Sequence, residues 1–213
     1  MYNKLKNIIT SNIEKNKKKY FLLFLLFSAG ICSGAFTVNG LNSNQKDELV
    51  NYFYGFLRLF DNQNIESSEL VKISFIQNMR LVLVLWGLGV TIVGIPFIYC
   101  LVGIRGFATG FSSGFIINMM GLKGTLLILF TLIPKEIIIV PCIIALGVNG
   151  INFSLSIIKT KSIKHISKEN LKSDFIAYCF STLIFSVLIL CGVVLEAYIT
   201  PVFIKIIAPI FTI

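Results

Sequence analysis

The 213 residues are 55% hydrophobic and 14% charged, with a mean hydropathy of +0.84, outside the range of a soluble domain of this size. A net charge of +9 suggests a nucleic-acid surface, but the lysines cluster beside apolar runs, where such residues orient spans and meet anionic head groups; no nucleic-acid partner is expected. Runs of about 18 apolar residues without alternation predict an all-α, polytopic transmembrane bundle of about five spans, not a β-barrel.

Residues 1–19 carry Lys4, Lys6, Lys15, Lys17, Lys18 and Lys19 against Glu14 and read as a cytosolic basic tail. The apolar run 20–38 follows. A basic start and an apolar core also describe a cleaved signal peptide, but the basic region is long and the run continues to Val38, so an uncleaved first span is expected. Gly30 and Gly34, four apart, give that span a face another helix can approach closely.

Residues 39–80 form the longest polar interval and lack a basic excess, which suits the outer side of the membrane. Within it Leu49, Phe53, Phe56 and Phe60 recur at helical spacing, with Tyr52 and Tyr54 alongside. This predicts an amphipathic helix at the interface, serving either to shield the bundle or to dock a partner. A second span is expected over 81–103, kinked near Pro96, with Arg105 at its inner end. Residues 106–120 make a short third unit that either spans or re-enters. Its Gly106, Gly110 and Gly114 stack on one helical face and predict tight helix packing.

After a turn at Gly121-Leu122-Lys123-Gly124 comes a broken fourth span over 125–148. It contains Leu132-Ile133-Pro134-Lys135-Glu136 and then Pro141-Cys142. Proline removes a backbone donor and clashes with the preceding turn, and an intramembrane charge costs several kcal/mol unless it faces protein or water. Pro134, Lys135, Glu136 and Pro141 therefore mark either a structural break or the coupling site of a transporter, where broken helices line the path. Residues 149–174 read as a cytosolic basic loop, 175–195 as the fifth span and 196–213 as an external tail. Both basic clusters belong inside, so the N-terminus is expected inside and the C-terminus outside.

Catalytic signatures are missing from this pattern. The single histidine, His165, lies in the lysine-rich loop, and no phosphate-binding loop, nucleophile elbow or zinc-binding pair occurs. Cys32, Cys100, Cys142, Cys179 and Cys191 all fall in apolar runs without paired spacing, which suits packing residues. The chain is therefore expected to be no enzyme and to use no metal or cofactor.

The order of these pieces resembles the stage II sporulation protein M family over essentially the whole length. The resemblance is carried by Gly106-x-x-x-Gly110-Phe111-x-x-Gly114-Phe115 and by Pro134 followed by Pro141. Many members have a Pro-His-Gly-x-x-Glu-x-Pro pattern there. This chain keeps both prolines but has Lys135 at the histidine position, Glu136 at the glycine position and Ile139 where the acid is expected. The resemblance implies a non-enzymatic membrane scaffold of endospore formation. In that role it would hold the peptidoglycan hydrolases, stage II sporulation proteins D and P, at the septal membrane during engulfment. The face of Leu49, Phe53, Phe56 and Phe60 is then the expected docking surface, with membrane lipid and a second copy of the chain as further partners. The competing expectation is a small transporter or permease subunit using Lys135 and Glu136.

Overall fold

The computed structural model describes residues 13–62, 67–162 and 168–207, and the side chains of residues 54, 56–62, 67–70, 161–162, 168–170 and 199–207 fall outside that description. The described residues form helices joined by turns, with no strand. In chain order these are α1 (Lys17–Asn39), α2 (Ser43–Asn62), α3 (Ser67–Gly89), α4 (Gly94–Met120), α5 (Leu122–Thr131), α6 (Ile133–Ser162) and α7 (Lys168–Ile207). Stretches long and apolar enough to cross a membrane are Lys17–Asn39, Val71–Gly89, Gly94–Met120, Ile133–Thr160 and Leu171–Tyr198. The molecule is an all-α bundle with five membrane-crossing helices.

The bundle is built around α6. Its span is 67% buried, whereas the other four are between 17% and 28% buried. Ile139, Ile143, Val148 and Ile151 of α6 are buried with Leu23 of α1, Ile98 of α4 and Ile189 and Val193 of α7, so α6 packs against protein on several sides. The other helices turn most of their apolar side chains outward, as at Phe21, Leu83, Ile104 and Leu183, where lipid is the natural neighbour.

The closest contact joins α1 and α4. A methyl added at Gly106 would run into the Phe27 carbonyl, one at Gly110 into the backbone of Ile31, and one at Gly114 into Ala35. Reciprocally, Gly30 faces the Gly103 carbonyl and Gly34 that of Phe107. The two backbones touch along this line, where dispersion and weak Cα–H···O contacts replace a hydrophobic driving force that lipid does not supply. Both helices advance along the contact in the same sense, so they lie parallel.

Several expected boundaries are revised. The predicted second span over 81–103 is cut at Val90–Val93. Helix α3 already begins at Ser67, so it completes its crossing by Gly89, and the polar interval 39–80 contributes α3 as well as α2. A helix end inside apolar surroundings leaves carbonyls that need donors, and these come from distant helices. The fully buried Ser154 hydroxyl of α6 is 2.8 Å from the carbonyls of both Gly89 and Thr91, and Tyr178 of α7 donates to Trp86 at 2.9 Å. Pro96 then falls in the first turn of α4, where an N–H is dispensable, and starts a helix rather than kinking one.

Residues 106–120 are the second half of that 27-residue helix, not a short re-entrant unit. At its end Gly121 takes a φ of 59°, a conformation that favours glycine, and lets α5 fold back along α4. The broken span expected over 125–148 is the pair α5 and α6, divided at Leu132; Pro141 lies within α6 without ending it. The basic loop expected over 149–174 is shorter, because α6 runs to Ser162 and α7 begins at Lys168. Likewise α7 outlasts the predicted 175–195 and continues through Pro201 to Ile207.

Hydrogen bonds define the two ends. Lys19 with Asn152, Ser154 with Gly89, and Ser156 with Asp174 gather the starts of α1, α4 and α7 with the finishes of α3 and α6. This is the basic end, which carries Lys17, Lys18, Lys19 and Lys159. At the opposite end Asn118 meets Asn39 and Lys135 meets Glu196. Gly110→Ala is expected to destabilise the bundle by about 1–3 kcal/mol through overpacking. Gly87→Ala, where a methyl meets nothing within 4 Å, serves as the reference. Equal unfolding midpoints for the two variants in a detergent titration would show that the α1–α4 contact is not close.

Candidate functional site

The charges of the proline-flanked segment lie where α4, α6 and α7 meet. Pro134, Lys135 and Glu136 are the second, third and fourth residues of α6. The missing N–H of Pro134 therefore falls in the first turn, which has no intrahelical acceptor for it. Consecutive helical residues point about 100° apart, at 3.6 residues per turn, and Lys135 and Glu136 turn to different neighbours. Glu136 accepts a hydrogen bond from Arg105 of α4, Nη2 to Oε1 at 3.1 Å, and Lys135 pairs with Glu196 of α7.

All four side chains are mostly covered, with exposures of 25% and 14% for Arg105 and Glu136 and 20% and 18% for Lys135 and Glu196. Two cations and two anions leave the group neutral. Glu136 also lies in the first turn of α6, where the helix dipole favours an anion. Arg105 and Glu136 meet through one contact only, and Arg105 Nε and Glu136 Oε2 are buried without a hydrogen-bond partner. A modest rotation would turn this into the paired fork geometry that guanidinium and carboxylate favour.

Around this group the hydroxyls are engaged by backbone. Thr131 donates to Leu127, Thr109 to Arg105 and Ser113 to Thr109, each bridging one turn of its own helix. Among the described residues no group of three or more His, Cys, Asp or Glu is placed to hold a metal ion, and His165 lies outside them. The arrangement can tie three helices together and fix their register.

Helix α2 begins with one half of a capping box: the Asn42 N–H donates to Gln45 Oε1 at 3.1 Å. Leu49 and Phe53 are half-buried, and Phe53 meets Phe115 of α4 edge-on with ring centroids 6.3 Å apart. Phe53 therefore turns onto the bundle. Phe56 and Phe60 share its helix, but their side chains lie outside the described residues. Among the described side chains of α2, Tyr52 turns outward and is 79% exposed.

Arg105 and Glu196 complete the two ion pairs, and the sequence pattern placed them elsewhere, at the inner end of the second span and in the tail. Had 94–120 been read as one helix, Arg105 would have stood near its middle and demanded an acid. Only Glu136 or Glu196 lay in apolar sequence to answer it.

A family model described as Stage II sporulation protein M matches residues 23–201, taking in the glycine contact, the proline-flanked segment and all four paired charges. No curated protein and no solved structure matches the chain.

Glu136→Leu alone strands Arg105 among apolar neighbours and is expected to cost about 3–5 kcal/mol. The double variant Arg105→Leu/Glu136→Leu should recover most of that loss. A double-mutant cycle of detergent unfolding midpoints checks this; simple addition of the single effects would show that the two charges do not depend on each other.

Proposed function

The chain belongs to the stage II sporulation protein M family and is a sporulation-related multi-pass membrane protein; on that footing we propose that it acts as a non-enzymatic scaffold for wall hydrolases. The partners in this reading are stage II sporulation proteins D and P, held at the septal membrane while one cell engulfs the other. The observation that carries it is the self-contained pairing of the intramembrane charges. Arg105, Lys135, Glu136 and Glu196 bind one another across three helices, which suits a rigid platform better than a substrate path. The basic end then faces the cytosol, as the positive-inside rule favours, and α2 faces the wall. Docking falls to the outward edge of α2 around Tyr52, because Phe53 is committed to Phe115.

One observation favours the transporter reading more than the sequence did. The charges sit on α4, α6 and α7 rather than on one helix, as a coupling site would require. The two readings separate on Arg105→Leu/Glu136→Leu. A scaffold keeps its hydrolases in this variant, whereas a transporter loses flux.

Co-purification on the tagged full-length chain from spore-forming cells should recover wall hydrolases. Tyr52→Ala should weaken their retention by about tenfold, the scale of a central aromatic contact, with the unfolding midpoint unchanged. Recovery of an ATPase in place of hydrolases would sink the scaffold reading.

A further inference from the structure

Beyond that role, the surface formed by α6 and α7 with α1 beside them changes character along its length. On α6, Pro141, Ala145, Asn149, Asn152 and Ser156 follow one another at spacings of three and four, so they share a face. On α7, Asp174, Tyr178, Ser181, Phe185 and Leu188 do the same. Toward the basic end these faces line a cavity of about 240 Å³ that includes Asn149, Asn152, Ser156 and Ser181. Further along the same faces lies an apolar groove of about 710 Å³, walled by Pro141, Ala145, Phe185 and Leu188, with Tyr20 and Phe24 of α1 on its other side. The face from Pro141 to Ser156 is about 22 Å long at 1.5 Å per residue. One leaflet with its head groups is about as thick, being half of roughly 40–45 Å.

At the polar end Asp174 lines the cavity, and Lys19 and Lys159 stand beside it. Lys19 of α1 donates to Asn152 Oδ1, and Lys159 is close enough for the two like charges to act on each other. An ammonium has three donors, so Lys19 retains two, and Asn152 keeps its amide N–H groups. The acid in this lining, Asp174, accepts a hydrogen bond from Ser156 at 2.8 Å. Two cations with spare donors, above a groove whose lining is almost wholly apolar, complement an anion carrying an apolar tail.

We propose that this crevice binds one anionic phospholipid, with its phosphate held by Lys19, Lys159 and Asn152 and an acyl chain along the groove between Phe24 and Leu188. The lipid covers apolar surface that none of the described helices covers and relieves the repulsion between the two lysines. It also joins α1 to α7 at the basic end, where α6 separates them.

The test uses the full-length chain in bilayer discs containing equal phosphatidylglycerol and phosphatidylcholine, released for native mass spectrometry. The expected result is one retained phosphatidylglycerol per chain. Lys19→Gln/Lys159→Gln should lower that occupancy by about tenfold without raising phosphatidylcholine. Leu188→Trp, at a position 43% exposed, should fill the groove and displace the lipid while the lysines remain. The unfolding midpoint of each variant, measured in detergent, establishes that it is folded. Equal retention of the two lipids would overturn the proposal, since it describes ordinary annular lipid. Displacement by millimolar inorganic phosphate would overturn it in favour of a free-anion site. Dimers without lipid would assign the groove to a second copy.

Discussion

The bundle depends on pairing four charges that its helices mostly cover. An orphaned ammonium or carboxylate there is poorly solvated, so Arg105, Lys135, Glu136 and Glu196 keep their partners only with α4, α6 and α7 in one relative register. Slide any of the three by a turn and at least one charge loses its partner. Apolar side chains in lipid give little such discrimination, because a leucine against leucine is hardly different from a leucine against an acyl chain. Polar pairs specify the arrangement, and close backbone contact between α1 and α4 then consolidates it.

The same requirement explains which parts of the fold were legible in the sequence. Apolar length identified five crossings, and the spacing of Gly106, Gly110 and Gly114 identified a helix face made for close approach. Local pattern could not locate the cut at Val90–Val93, because those residues are as apolar as the helices they join. The turn is stabilised from elsewhere, by Ser154 and Tyr178, which lie more than 60 residues away in sequence. Arg105 was obscured for the same reason: a charge next to an assumed boundary looks like a loop residue, and moving the boundary places it mid-helix. Phe53 shows the complementary limit. Its periodicity identified an apolar face but not whether that face meets the parent bundle or a partner.

Family membership and physical reading converge on the proline-flanked segment from different directions. Pro134 and Pro141 stand seven residues apart, with Lys135 and Glu136 between them, inside the stretch the family model matches. The charges of this segment are chemically coherent. Lys135 and Glu136 are each answered by a charge of opposite sign on a neighbouring helix, so the segment's charges are balanced locally. That local balance is what the scaffold role proposed above asks of the segment.

The parallel contact of α1 with α4 bears on how the protein is made. Helix α1 emerges from the ribosome before α4 and enters the membrane with Gly30 and Gly34 unmatched, because their counterparts lie some seventy residues downstream. Two intervening segments, α2 and α3, must be placed before the face is filled, and α3 and α4 arrive as a hairpin joined by only four residues. Assembly of the first span is therefore postponed until the third has been delivered. During that interval its glycine face is open to any helix in the bilayer with a matching groove, including the α4 of a neighbouring copy.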